Sequence, residues 1–100
     1  QTRLERGHEG FAVALFDLDR FKALNDRFGH QAGDAALTVF ARIIKDTVRS
    51  YDLPARYGGE EFVVLLPGAD LNAAEVIADR CRQRAEQAVV RHGGEQITFT

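Results

Sequence analysis

The sequence predicts an α+β domain in which one antiparallel sheet carries helices mainly on one of its faces. Three observations predict it: an apolar run at residues 11–16, an apolar stripe at helical spacing within residues 37–48, and a second apolar run at residues 62–66. Short apolar runs bounded by turn residues are typical of strands, and the stripe is typical of an amphipathic helix.

The first strand is predicted over residues 11–16, where every position is apolar, as in a central strand covered on both faces. The strand runs into Asp17, Leu18 and Asp19, where the polarity changes abruptly. Residues 20–30 then have helical character, and Gly29 suggests where that helix stops. Two carboxylates are therefore expected at a strand end.

The next helix is predicted after Gly33 and Asp34. Its apolar residues recur at helical spacing, at Leu37, Phe40, Ala41, Ile44 and Val48. Two short strands follow at residues 55–57 and 62–66, joined by a turn with the sequence GGEE at residues 58–61. The turn is expected to form the tip of a hairpin.

A second amphipathic helix is predicted after the break at residues 67–68. Asn72, with Glu75 three residues later, resembles a capping box at its start. Its apolar stripe comprises Ala74, Ile77, Cys81, Ala85 and Ala88. The run HGG at residues 92–94 is expected to end the helix, and residues 96–100 are expected to form a last strand with Ile97 and Phe99 on one side.

The resulting order, β-α-β-β-α-β, is the ferredoxin-like arrangement, which the palms of many nucleotide polymerases and cyclases share. A chain of 100 residues suits one domain or part of one. Because a fold does not define a function, the functional argument rests on the site residues.

Composition excludes several functional classes. A formal net charge of −2 disfavours non-specific nucleic-acid binding, which relies on many Lys and Arg contacts to phosphates. No apolar stretch approaches the length of a membrane span, and no signal-peptide pattern occurs. The single cysteine, Cys81, cannot form an internal disulfide. We therefore expect a soluble segment in a reducing cytoplasm, which is compatible with a membrane anchor elsewhere in the full-length protein.

The acidic residues suggest a metal site. A ferredoxin-like sheet would place the end of the first strand, with Asp17 and Asp19, beside the hairpin that carries Glu60 and Glu61. Hard oxygen ligands at this density suit Mg²⁺ or Mn²⁺. The alternative is an ordinary hairpin turn whose acids are solvated, which is the commoner origin of a short motif of this kind.

Three linked motifs favour the metal site. The run RYGGEEF at residues 56–62 resembles the signature of GGDEF domains, the diguanylate cyclase family, in its Glu variant. The run FDLDRFKALND at residues 16–26 resembles the first-strand motif of the same family, and FGHQAGD at residues 28–34 continues the match at the expected spacing. Together the motifs cover residues 11 to about 66 and form a specific signal.

The resemblance implies a role for each matched residue. Asp17, the backbone carbonyl of Leu18 and Glu60 would hold two divalent ions, Mg²⁺ or Mn²⁺. Glu60 and Glu61 would be the catalytic carboxylates, with Glu60 as the candidate base or metal ligand and Glu61 close to the metal and phosphates. Substrate contacts would come from the remaining matched positions, with Asn25 and Asp34 reading guanine and Phe21, Lys22, Gly58 and Gly59 near the phosphates. For Lys22, the alternative is a solvated lysine on a helix surface.

The implied reaction joins two GTP molecules into cyclic di-GMP and two pyrophosphates. The family builds a complete site from two facing domains, so catalysis would require a homodimer. Two alternatives stay open: a catalytically silent GGDEF module that senses GTP or cyclic di-GMP, and a palm-fold domain used only for protein contacts. The intact GGEE turn disfavours the first alternative, and the presence of Asp17, Asn25 and Asp34 disfavours the second.

Two further expectations follow from the resemblance. Arg49 and Asp52 have the Arg-x-x-Asp form at the spacing of the family's inhibitory site for the product cyclic di-GMP; the alternative is an exposed ion pair near a helix end. The chain is also expected to be the central part of the domain, residues 1–100, without the N- and C-terminal ends that the family usually has. The C-terminal end would supply a Lys and an Arg to the triphosphate.

Overall fold

The computed structural model describes residues 2–6, 10–18 and 21–98; Asp19, Arg20 and Phe99, which featured in the expectations above, lie outside the described residues. The elements in chain order are β1 Thr2–Arg6, β2 Phe11–Asp17, α1 Phe21–Phe28, α2 His30–Thr47, β3 Leu53–Arg56, β4 Glu61–Pro67, α3 Leu71–Gln87, β5 Val89–His92 and β6 Glu95–Thr98. The predicted fold class, an α+β ferredoxin-like palm with an antiparallel sheet, is confirmed.

The main sheet has the strand order β1-β2-β4-β3, and all of its pairings are antiparallel. Alternate residues of the two central strands are buried against α2 and α3, namely Ala12, Ala14, Phe16, Phe62, Val64 and Leu66. The intervening residues are half-buried or exposed. The expectation that residues 11–16 are covered on both faces is therefore wrong, because the helices pack on one face only.

Aromatic packing joins α2 to the sheet at the end that carries the acidic residues. The Phe40 ring of α2 lies edge-on to Phe16 of β2, with 5.8 Å between ring centroids, and is tilted against Phe62 of β4 at 5.3 Å. Edge-to-face arrangements of this kind stabilise beyond simple burial. The core thus reaches directly beneath the end of β2 and the start of β4.

The boundary between α1 and α2 differs from the prediction. Gly29 does end α1, with a left-handed φ of 94°, and its amide donates to the Asn25 carbonyl at 2.7 Å. The next helix, however, begins at His30, so Gly33 and Asp34 lie inside α2 and do not precede it. The apolar stripe that predicted this helix starts only at Leu37, which explains the late predicted start.

Both ends of α3 also differ from the prediction. Asp70 is the N-cap, since its side chain accepts a hydrogen bond from the Ala73 amide at 2.8 Å, so the proposed capping box at Asn72 and Glu75 is wrong. The helix ends at Gln87, five residues before His92. Ala88 is its half-buried C-cap and not part of the buried stripe.

The chain after α3 forms a small hairpin that the sequence did not predict. β5 and β6 pair with each other in a separate two-stranded sheet, and the glycines 93 and 94 of the turn have positive φ. The expected last strand therefore exists, but not in the main sheet. The edge position beside β2 is taken by β1, which was also missed. No helix in the described ranges combines the length and apolarity needed to cross a membrane.

Candidate active site

The acidic turn lies between β3 and β4 and is held by its own backbone. The carbonyl of Glu61 accepts hydrogen bonds from the amides of Tyr57 (2.8 Å) and Gly58 (3.3 Å). Arg56 adds side-chain contacts, because its Nε donates to the Gly58 carbonyl at 3.2 Å and its Nη2 to the Gly59 carbonyl at 2.5 Å. Two bonds from one guanidinium fix the turn, a role for Arg56 that sequence reasoning missed.

The two glycines of the turn serve different purposes. Neither has a positive φ, so the turn does not depend on left-handed backbone. A Cβ on Gly58 would come within 2.9 Å of the Glu61 carboxylate oxygen Oε1, so Gly58 leaves room for that side chain. A Cβ on Gly59 would meet nothing within 4 Å, which leaves the backbone there open to a ligand.

The end of β2 lies directly against this turn. Asp17 of β2 is the cross-strand partner of Glu61 of β4, so their side chains share the less buried face of the sheet. One residue further, the Leu18 amide donates to the Glu60 carbonyl at 3.3 Å. Like charges directly opposite one another in a sheet are destabilising, and a bound cation would relieve this repulsion.

A cleft of about 210 Å³ opens on this face. Its lining includes Asp17 and Glu61 together with Arg3 of β1, Leu15 and Phe16. Arg3 belongs to β1, a strand that the sequence did not predict. Its position beside Asp17 and Glu61 was therefore not predicted either. The cleft therefore combines carboxylates with a guanidinium at the end of the two central strands.

The donors at this end suit a magnesium-like ion. Within residues 2–6, 10–18 and 21–98 no group of three or more His, Cys, Asp or Glu side chains is arranged to hold a metal. Asp19, the fourth carboxylate expected at this site, lies outside the described residues. Mg²⁺ usually takes only one or two carboxylates and completes its shell with phosphate oxygens and water. Asp17, the Leu18 carbonyl and Glu60 supply hard oxygen donors of that kind from two hydrogen-bonded segments.

The remaining predicted substrate residues lie on α1 and α2. Phe21 is half-buried against the main core, whereas Lys22, on the same helix, is exposed. Asn25 is half-buried, and Asp34 is exposed on the second turn of α2. α1 packs against α2, so the two helices bring the proposed guanine-reading residues into one layer of the domain.

Arg49 and Asp52 form a closed unit in the loop after α2. Both Asp52 oxygens accept hydrogen bonds from Arg49: Oδ1 from Nη2 at 2.8 Å and Oδ2 from the backbone amide at 2.7 Å. The Asp52 side chain is 0% exposed and that of Arg49 is 31% exposed, so the pair is not the exposed ion pair of the alternative interpretation. The hydrogen bond with Asp52 raises the pKa of the Arg49 guanidinium above its ordinary value.

This unit lies far from the acidic turn. Arg49 Nη2 also donates to the Pro67 carbonyl at 3.2 Å, and Pro67 is the last residue of β4, whereas Glu61 is the first. Seven strand residues separate the two ends by about 20 Å. The structure therefore brings Asp17, Leu18, Gly58, Glu60 and Glu61 together and leaves Arg49 with Asp52 at the opposite end of the sheet.

The fold and the acidic turn define a palm-type α+β domain of the kind used for nucleotidyl transfer. A family model described as "Diguanylate cyclase, GGDEF domain" matches residues 1–100. The chain belongs to the GGDEF domain family of diguanylate cyclases.

Individual relatives agree with this assignment. The chain is 41% identical over 92 residues to diguanylate cyclase A of Treponema denticola, covering 92% of this chain and 25% of that protein. It matches the structure of diguanylate cyclase SiaD, solved in complex with its activator SiaC from Pseudomonas aeruginosa, with a TM-score of 0.85 and 38% identity over 94% of this chain and 36% of that one.

A second similar structure is the GGDEF domain of DgcB from Caulobacter crescentus in complex with c-di-GMP. The TM-score is 0.80 and the identity 27%, over 90% of this chain and 53% of that one. The chain thus spans about a quarter of the Treponema protein and about a third of the SiaD chain.

Proposed function

We propose that this chain carries one half of a diguanylate cyclase active site, which condenses two GTP molecules into cyclic di-GMP and two pyrophosphates. The observation that carries the proposal is the junction of β2 with the GGEE turn: Asp17 opposes Glu61, and the Leu18 amide bonds to the Glu60 carbonyl. Membership of the GGDEF family supports the same reaction.

The proposed metal ligands are Asp17, the Leu18 carbonyl and Glu60, with Mg²⁺ or Mn²⁺ as the ion, two per active site. When bound, such ions neutralise the charge that develops on the phosphate oxygens and the departing pyrophosphate. Glu61 would lie next to them on the same face as Asp17. The open backbone at Gly59 suits a phosphate approaching the turn, and Gly58 leaves room for the Glu61 carboxylate beside it.

We propose that Asn25 and Asp34 select guanine. An amide can both donate and accept, and a carboxylate can accept from the N1 and N2 hydrogens of guanine, which adenine does not present in that arrangement. Phe21 and Lys22 are the first two residues of α1 and follow the metal-ligand segment in the chain, so we propose that they contact the triphosphate. An exposed lysine there adds a positive charge near the phosphates.

In the proposed reaction the 3′-oxygen of one GTP attacks the α-phosphorus of the other. A new phosphodiester bond forms, the bond from the α-phosphorus to the bridging oxygen breaks, and pyrophosphate leaves with that electron pair. Glu60 is the candidate to accept the 3′-hydroxyl proton. Because each domain holds one GTP, the second bond forms when the roles are exchanged within an antiparallel homodimer.

Arg49 is proposed as the main contact of a product-inhibition site. Its Nε and Nη2 groups are engaged with Asp52 and Pro67. The guanidinium also lies 4.6 Å from the centroid of the exposed Tyr51 ring. Asp52 is fully buried in this arrangement, so we propose that it holds Arg49 in position for cyclic di-GMP.

We also propose that residues 1–100 are the central part of their domain and that the domain works in the cytoplasm, as sequence reasoning suggested. The similar solved chains are two to three times as long as the matched segment, which supports the first point. SiaD was solved in complex with its activator SiaC, so we propose that a regulatory protein could control the present domain in a comparable way.

Product analysis tests the proposal. Incubating the full-length protein with GTP and Mg²⁺ is expected to yield cyclic di-GMP on chromatography, with no cyclic product from ATP and none from GTP when EDTA removes the metal. The rate per molecule should rise with protein concentration until the homodimer is saturated. A folded, dimeric protein that binds GTP without turnover would instead favour the nucleotide-sensor alternative.

A further inference from the structure

Gly33 of α2 occupies a position where no other residue fits without moving a neighbour. A Cβ built on Gly33 would lie 1.7 Å from Asn25 Oδ1 and 2.8 Å from Asn25 Cγ. It would also lie 3.2 Å from Cζ of Phe21. Gly33 is itself buried and has no positive φ, so its backbone conformation is not one that requires glycine. The need for glycine at position 33 therefore comes from the Asn25 side chain.

The contact is built into the turn between α1 and α2. Gly29 donates from its amide to the Asn25 carbonyl at 2.7 Å, and its own carbonyl accepts from the Gly33 amide at 3.2 Å. The backbone of residues 25, 29 and 33 is thus linked in a chain of hydrogen bonds. These bonds hold the Cα atoms of Asn25 and Gly33 in place, so the side-chain amide would have to rotate away if position 33 carried a side chain.

The Asn25 amide carries an unmet hydrogen-bonding capacity at this contact. Oδ1 is buried and, among the described residues, has no hydrogen-bond partner. A buried acceptor without a partner costs free energy, and such atoms are commonly satisfied by a ligand or water. Asn25 is otherwise half-buried, and Asp34 follows Gly33 directly in α2.

We propose that Gly33 is a positioning residue for guanine recognition: the missing side chain lets the Asn25 amide lie against α2 beside Asp34. This inference rests on the proposed function, because it assigns to Gly33 the placement of one of the two guanine-reading groups. Gly33 contacts no substrate atom itself. Gly33 affects guanine binding only by allowing the Asn25 amide to take its position, so the effect of replacing Gly33 should depend on the presence of Asn25.

The test compares Gly33→Ala with Gln31→Ala, an exposed position in the same helix, in the full-length protein. Both changes raise helix propensity, so neither should lower the melting temperature through the helix backbone. We expect Gly33→Ala to weaken GTP binding, measured by calorimetry, about 10-fold or more, the equivalent of one good hydrogen bond. Weak ATP binding should be unchanged, and Gln31→Ala should bind GTP normally.

A double-mutant cycle identifies the route of the effect. In an Asn25→Ala background the added methyl group has no amide to displace, so Gly33→Ala should cause no further loss of GTP affinity. Undiminished GTP affinity in Gly33→Ala, or the same fold loss with and without Asn25, would overturn the inference while leaving the cyclase proposal intact. Failure of the unmutated protein to prefer GTP over ATP would overturn both.

Discussion

Glu60→Gln is expected to remove cyclic di-GMP synthesis while leaving the domain folded. Glutamine keeps the length of the side chain but loses the negative charge that strengthens the binding of a divalent ion. Replacing a residue that only hydrogen-bonds to a metal ligand typically lowers activity about 10- to 100-fold. Replacing Glu60, a proposed direct ligand, should therefore lower kcat by more than about 100-fold. The turn should survive, because Glu60 contributes to it through its backbone carbonyl, which accepts from the Leu18 amide.

The matched control is Glu86→Gln, which makes the same chemical change at an exposed position in the last turn of α3. This variant should turn over GTP at the unmutated rate. Equal melting temperatures for both variants would separate the chemical effect from unfolding. Full turnover by Glu60→Gln in saturating Mg²⁺ would remove Glu60 from the proposed metal site.

Asp52→Asn is expected to lower the free energy of unfolding by about 2 kcal/mol, in the range for hydrogen bonds to charged groups. Ion pairs between exposed residues contribute only about 0–1 kcal/mol, but the Asp52 carboxylate is completely buried. An amide would turn one of its acceptor oxygens into a donor that faces the donors of Arg49. The loop between α2 and β3 and its link to the Pro67 carbonyl should loosen together.

Denaturant unfolding measures this effect, with Asp46→Asn at an exposed position of α2 as the control. The midpoint of Asp46→Asn should match that of the unmutated protein. If Asp52→Asn unfolds at the same midpoint as well, the pair has no structural role, and Asp52 would be free to contact a ligand directly.

The sequence predicted the parts of the site that depend on neighbours along the chain. The abrupt change from apolar to acidic at Asp17 located a strand end, and the glycine pair before Glu60 located a turn. Antiparallel pairing of β2 with β4 then brings these two local features together, as the ferredoxin-like order implied. Gly29 was likewise predicted correctly, because its left-handed backbone is a local property.

Features that depend on distant contacts were missed. The need for glycine at position 33 depends on the side chain of Asn25, eight residues earlier in the chain. The two hydrogen bonds from Arg56 to the turn depend on the folded shape of that turn. The residues of β5 were predicted as the end of α3 because the apolar stripe of that helix extends to Ala88. The two β-branched residues Val89 and Val90 favour a strand instead.

The pairing of β1 with β2 escaped prediction for the same reason. β1 is short and rich in charged residues, a composition typical of an edge strand, and nothing in it indicates which strand it joins. Its consequence for the site is the presence of Arg3 in the acidic cleft.

We propose that one GTP binds between the acidic turn and the layer formed by α1 and α2. The most direct test is a crystal structure of the protein with Mg²⁺ and a GTP analogue that cannot transfer its α-phosphate. We expect Mg²⁺ bound by Asp17, the Leu18 carbonyl and Glu60, and the guanine edge bonded to Asn25 and Asp34. Guanine bound elsewhere on the domain, with no metal at the turn, would overturn this placement of GTP.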